Sequence, residues 1–221
     1  MPVTLQEWAG AGPTSMTTLA LVFTDVVGST DLAVKSGDKK WIEILMRHFR
    51  QARRIKDLCD GYEIKPIGDA YMAAFRTAVD AFQFAWQFYN DPGDPQIWIR
   101  VGIHVGQVRI VENDTYGLTV NYTSRVQHAL TRMGIMLSDA AKNDVVAELG
   151  IDIPEFSLLP VRKSLKGFGE QRLWFVSKKL TPLQESGFGK AFRKLILNEG
   201  EADLTPPVPG AHKGPVGVEI K

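Results

Sequence analysis

Residues 17–27 read TTLALVFTDVV. So many apolar and β-branched side chains in so short a run make a buried strand, not a helix. One acid, Asp25, sits inside the run. An ionised carboxylate within an apolar strand is costly unless something neutralises it. The segment is therefore both core and a place to look for chemistry.

The remaining pattern supplies partners for that strand. GST at 28–30 is followed by residues 32–59, which run without proline. Ile42, Leu45, Met46, Phe49 and Ala52 recur there at three and four, which predicts one amphipathic helix ended by Asp60-Gly61. Residues 62–67 and 71–75 read as strands joined at Gly68-Asp69, a two-residue hairpin signal. In residues 77–90, Phe82, Phe84, Trp86 and Phe88 alternate, while Val79, Phe82, Trp86 and Tyr89 keep helical spacing; length and the stop at 90–95 decide for a helix. Residues 98–105 and 107–111 read as a hairpin pivoting at Gly106, and 118–130 as a second long helix. A short strand at 134–137, a helix at 140–149 and strands at 156–162 and 172–176 around a KGFGE turn complete the order. This predicts an α+β fold: a ferredoxin-like βαββαβ core with a C-terminal β-α-β-β extension, its helices packed on one face of a mainly antiparallel sheet. Residues 1–16 read as an N-terminal arm, 17–178 as the folded domain, and 179–221 as an extension whose Pro/Gly-rich end, TPPVPGAHKGPVG, is a flexible tail.

Composition excludes several function classes. A chain of 221 residues, 44% hydrophobic, buries enough surface to fold without disulfide or metal staples. Net charge +1 argues against nucleic acid held by bulk charge. Cys59 is the one cysteine, so no internal disulfide forms, in keeping with a reducing cytoplasm. Apolar runs such as 19–23 fall far short of the ~20 residues that span a bilayer. The N-terminal sequence has no secretion signal pattern, so a cytoplasmic protein acting away from membranes is expected.

Several residues carry possible chemistry. Asp25, and Asp69 at the hairpin tip, come to one sheet edge if the hairpin pairs beside the first strand. Two close carboxylates repel, and a hard divalent cation relieves that repulsion; Mg2+ or Mn2+ is the natural choice. Singly, Asp25 is a helix cap and Asp69 a turn residue. Gly28, Ser29 and Thr30 offer N–H groups and hydroxyls at a helix start, where phosphate binds. Asn121 and Arg125, four apart, share a helix face and suit a phosphoryl group gaining charge. Lys65 and Asp114 offer a donor and an acceptor for a nucleobase edge. Lys166 sits in a basic glycine turn. Arg100 is either a phosphate contact or the partner of an acid at a strand end. His104 and Cys59 read as packing residues.

FTDVVGST, KPIGDAY, RVGIHVG, NDTYGLTVNYTSR and LKGFGE, in this order and at these separations, resemble the class III nucleotidyl cyclase catalytic domain, over about residues 19–176. The short arm between Gly106 and Gly117 is similar to one bacterial subclass and not to the mammalian membrane enzymes. The resemblance implies that Asp25, Asp69 and the Val26 backbone hold two divalent cations, Mg2+ or Mn2+. It implies that Lys65 and Asp114 select the base, that Asn121 and Arg125 hold the ribose and stabilise the transition state, and that Lys166 and Arg100 contact the triphosphate. It implies a head-to-tail homodimer in which the metal acids come from one chain, and Lys65, Asp114, Asn121, Arg125 and Lys166 from its twin. Pro66 and the run Tyr122-Thr123-Ser124 depart from the usual pattern, and both are expected to border the base pocket.

The implied reaction is ATP to 3′,5′-cyclic AMP, since Lys65 with Asp114 is the adenine-type pair. The alternative is a pyrimidine cyclase making cyclic UMP or cyclic CMP as an antiphage second messenger, because stand-alone enzymes of that kind resemble this chain. A third reading is an inactive dimerisation or nucleotide-sensing module. A downstream cyclic-nucleotide receptor would be the partner of either active form.

Overall fold

The apolar segment around Leu21 becomes an eleven-residue strand in the interior of an eight-stranded sheet. The computed structural model describes residues 3–12, 16–150 and 156–178. In chain order its elements are α1 (Leu5–Ala9), β1 (Met16–Val26), α2 (Ser29–Ser36), α3 (Asp38–Leu58), β2 (Tyr62–Ile67), β3 (Ala70–Phe75), α4 (Ala78–Asn90), β4 (Ile99–Val111), β5 (Asp114–Tyr116), α5 (Leu118–His128), β6 (Gly134–Ser138), α6 (Asp139–Leu149), β7 (Phe156–Leu165) and β8 (Gly169–Lys178). The segment 179–221, with its expected tail, lies outside the described residues. The strand order is β2-β3-β1-β4-β6-β8-β7, with β5 paired to β4. The β4–β6 pair is parallel and the other pairs are antiparallel. The first four of these strands form the βαββαβ core, and β6, α6, β7 and β8 form the extension, as the sequence pattern predicts. No helix among the described residues is long and apolar enough to cross a membrane.

Period two sorts the side chains of β1 between two cores. Ala20, Val22 and Val26 join Ile44, Phe49, Phe84 and Phe88 of α3 and α4 in the larger one. Leu19 and Leu21 join Met72, Val108, Ile110 and Leu5 on the opposite face. Helices therefore pack on both faces, not on one as expected. On the second face α1 buries Leu5, and α5 lies over β4 with Val120 against the smaller core. The inner side of α5 is Thr119 and Thr123, whose hydroxyls donate to the carbonyls of Gln107 (2.6 Å) and Thr119 (2.7 Å). Small self-satisfied hydroxyls carry no apolar signal, so a hydrophobic pattern does not reveal this face.

The expected pivot at Gly106 is absent. β4 runs unbroken and pairs with β1 from Met16↔Arg109 to Val26↔Ile99. Its glycines serve the approach of α5 instead. A Cβ at Gly106 would lie 2.7 Å from Thr119 Oγ1, and one at Gly102 would lie 2.4 Å from the Gln127 backbone nitrogen. Gly102→Ala must push α5 off the sheet, and overpacking of this kind costs about 1–3 kcal/mol. Urea unfolding checks this: a lowered midpoint is expected, and an unchanged one would contradict the contact.

Two further differences have local causes. The expected 32–59 helix is divided at Gly37, whose φ of 76° and ψ of 155° belong to no helix. Residues 1–16 include a docked helix, α1, in which Thr4 and Glu7 form a capping box. Its Trp8 ring lies 5.6 Å from that of Tyr62 and 4.6 Å from the Arg76 guanidinium.

Candidate active site

The two candidate metal acids stand at one end of the central strands. Asp25 is the tenth residue of β1 and is directly opposite Arg100 on β4. The Arg100 guanidinium donates to Asp25 Oδ2 and, through Nη1, to the Leu130 carbonyl at 3.4 Å. Each side chain of the pair is about one quarter exposed, at 25% and 22%. Thus the acid within the apolar strand is neutralised by an arginine, the second of the two readings of Arg100. On the other side of β1 the register with β3 runs to Thr24↔Tyr71. Its next step sets Asp25 opposite Ala70, the residue after Asp69. Asp69 occupies the β2–β3 turn behind Gly68, which takes φ +64°. Its Oδ2 is buried and has no hydrogen-bond partner.

Lys65 and Asp114 meet as an ion pair, although 49 residues separate them. Two backbone irregularities produce this contact. In β2, Glu63 pairs with Ala73 and Lys65 with Met72, a register shift around Ile64. Directly opposite residues share a face, so the bulge moves Lys65 off the face of Glu63 and onto that of Met72. Glu63 remains on the α3 side, where its carboxylate accepts from Arg53 at 2.7 and 2.9 Å. Asp114 follows the tight turn Glu112-Asn113, both at positive φ (50° and 63°), which folds β5 back on β4. Asn113 Oδ1 accepts from the Leu5 N–H at 3.0 Å, tying α1 to this turn.

Asn121 and Arg125 lie on α5 two residues beyond Thr119 and Thr123. Two helical residues are 200° apart, so these side chains leave the helix on the side away from the sheet. Asn121 is exposed, and among the described residues no hydrogen bond or ion pair links either one to Asp25 or Asp69. Lys166 is exposed in the β7–β8 turn, which Leu165 and Gly169 close. Gly28 (φ 66°) caps the N-terminus of α2, with Ser29 and Thr30 in its first turn. Val26 forms the last β1–β4 pair, with Ile99.

The departures near Arg125 do not reach Lys65 or Asp114 as expected. Tyr122 packs against His104 (ring centroids 4.5 Å) and edge-on against Phe168 (4.9 Å), and its hydroxyl donates to Gln171 Oε1 at 2.9 Å. Thr123 is buried against the sheet, and Ser124 Oγ lies 3.4 Å from His128 Nδ1. Gln171 and Phe168 were invisible as neighbours of α5, because the link spans 49 residues and has no local signature. His104 is structural: burial depresses its pKa to about 4, and Nδ1 lies 2.8 Å from Ser138 Oγ. Burial raises the Cys59 thiol, which suits packing and not nucleophilic attack.

These donors fit a hard divalent cation. An orphaned buried carboxylate oxygen at Asp69, beside Asp25, is an acceptor that Mg2+ or Mn2+ would satisfy. Among the described residues no three His, Cys, Asp or Glu side chains converge. Two carboxylates completed by substrate phosphates are the usual setting for Mg2+, which seldom occupies an all-protein cage.

Known proteins match this chain in sequence and in fold. The sequence model described as the adenylate and guanylate cyclase catalytic domain matches residues 13–177. Human guanylyl cyclase C is 28% identical over 147 residues, covering 56% of this chain; the match spans 14% of that protein's length. Among solved structures, the catalytic core of a rhodopsin-guanylyl cyclase with converted specificity, in complex with ATPαS, superposes with a TM-score of 0.64 at 23% identity over 73% of this chain and 97% of that one. The adenylyl cyclase CyaB from P. aeruginosa gives 0.60 at 20% identity over 76% and 97%. These two are likenesses of fold. The family match over residues 13–177 establishes that the chain belongs to the adenylyl and guanylyl cyclase catalytic domain family, the class III nucleotidyl cyclases.

Proposed function

We propose that this chain is a nucleotidyl cyclase that converts ATP to 3′,5′-cyclic AMP and diphosphate as a homodimer. The observation that carries the reading is the cluster at the end of β1: Asp25 beside the Asp69 turn with its orphaned oxygen, and Arg100 across the strand. The joined Lys65 and Asp114 support it. Adenine presents a ring acceptor beside an amino donor, and a lysine with a carboxylate answers both. The outward direction of Asn121 and Arg125 supports a site completed by a second copy under two-fold symmetry. Ile67, Tyr116 and Leu118, exposed apolar side chains on the β2–β3 hairpin and around the start of α5, are surface such a dimer would cover.

In this mechanism Lys65 and Asp114 of the second copy exchange their mutual contact for the base, and Asn121 of that same copy orients the ribose. The 3′ oxygen attacks the α-phosphorus in line; the new P–O bond forms as the bridge to the β-phosphate breaks and diphosphate leaves. Arg125 donates to the α-phosphoryl oxygens as their charge grows. Lys166 of the second copy and the N–H groups at Gly28, Ser29 and Thr30 hold the β- and γ-phosphates, while Arg100 stays paired with Asp25. Asp25, Asp69 and the Val26 carbonyl would hold two divalent ions, which when bound acidify the 3′ hydroxyl and offset phosphate charge.

Cytosine and uracil also present one donor beside one acceptor, so cyclic CMP or cyclic UMP is the other product class this pair can select. Incubating the purified chain with each of four labelled nucleoside triphosphates and Mn2+ divides the readings. Cyclic AMP is expected. A pyrimidine product would overturn the base assignment alone, and a dimeric protein that cyclises none of the four would overturn the cyclase reading in favour of an inactive module.

A further inference from the structure

We infer that Tyr122 and Gln171 are positioning residues that lock the Lys166 turn to helix α5, so that the triphosphate contact and the Asn121–Arg125 pair move as one rigid unit. This inference rests on the role of Lys166 proposed above.

The observations form a continuous chain of contacts. Tyr122 stands between Asn121 and Arg125 in sequence, but its side chain runs to the β7–β8 hairpin. The phenol donates to Gln171 Oε1 at 2.9 Å, and Gln171 Nε2 donates to the Phe168 carbonyl at 2.7 Å. The Phe168 N–H in turn donates to the Leu165 carbonyl at 2.9 Å. The Phe168 ring meets the Tyr122 ring edge-on, with an interplanar angle of 87°. Phe168 is therefore tied to α5 through one hydroxyl, one amide and one ring, and its N–H carries the tie to Leu165 at the other end of the turn. Lys166 lies inside that span and is itself exposed, with no side-chain partner among the described residues.

The other side of Tyr122 is fixed as well. His104 packs against its ring and is anchored through Ser138, whose hydroxyl also accepts from the Ala141 N–H at 3.2 Å. Because burial keeps His104 neutral through the ordinary pH range, no charge change there loosens the stack. A two-strand turn otherwise has only its own backbone to hold it. An exposed lysine on an untethered turn loses more rotational freedom on binding phosphate than one on a pre-ordered turn. The tether thus acts on affinity for the triphosphate, and it acts through Lys166.

The test is a double-mutant cycle on the full chain: wild type, Tyr122→Phe, Lys166→Ala and the double variant. Tyr122→Phe keeps both ring contacts and deletes only the hydroxyl. It is expected to raise KM for the nucleoside triphosphate by about 3–10-fold, the scale of one lost hydrogen bond, with kcat changed less than about 2-fold. In the Lys166→Ala background the same change is expected to have no further effect on KM. An undiminished effect of Tyr122→Phe in that background, or a wild-type KM for Tyr122→Phe alone, overturns the inference. Equilibrium binding of a non-hydrolysable nucleoside triphosphate gives the same cycle without turnover. A wild-type protein that binds the triphosphate without cyclising it would sink the cyclase reading and still leave this cycle to be read.

Discussion

Asp69→Asn is expected to abolish cyclisation, lowering turnover on the order of 10³-fold or more, without destabilising the fold. Asp25→Asn is expected to abolish it equally but with a different stability signature. The difference follows from their partners. Asp69 keeps a buried carboxylate oxygen with no hydrogen bond, so removing its charge relieves an uncompensated burial. Asp25 is matched by Arg100, and Asn at this position leaves that guanidinium without its counter-charge. The Tm of Asp69→Asn is thus expected to equal or exceed that of wild type, while Asp25→Asn unfolds at a lower temperature. Mn2+ binding by calorimetry should be weakened in both. Retained Mn2+ affinity in the two variants would remove both acids from the metal site.

Arg125→Ala is expected to give the second large effect, a loss of about 10²–10³ in kcat, the amount typical for deleting a preorganised donor to a developing oxyanion. The side chain leaves α5 on the face away from the sheet and is only half-buried, so the melting temperature should move little compared with kcat. Arg125→Lys should recover little, because a single ammonium cannot reproduce a fixed two-pronged donor. Near wild-type kcat for Arg125→Ala would show that another group carries the charge.

Much of the scaffold was legible because it rests on periodicity. The strand around Leu21, the Gly68-Asp69 turn and the aromatic helix α4 each announce themselves through apolar spacing or turn chemistry. Misreadings arose where a residue serves a distant contact. Gly106 reads as a turn from its neighbours alone; only the approach of Thr119 shows that it is a flat spot under a helix. The inner face of α5 is threonine, so no apolar stripe betrays that the sheet is covered on both sides. The candidate site followed the same division. Asp25, Asp69, Asn121 and Arg125 stand out by residue type and spacing, but nothing local in KPIGDAY indicates the bulge that turns Lys65 toward Asp114. Tyr122, in the run before Arg125 that departs from the family pattern, reads as a border of the base pocket; its place on the helix sends it to Gln171 instead.

The composite site is tested most directly by mixing two dead chains. Asp69→Asn lacks a metal acid and Arg125→Ala lacks the transition-state donor. In a two-fold dimer of one copy of each, one of the two sites receives both intact halves. Random exchange makes half the dimers mixed, so equimolar co-expression should restore about a quarter of wild-type activity. Mixed dimers, verified by differently tagged chains, that remain as inactive as either variant alone would contradict a site shared between copies.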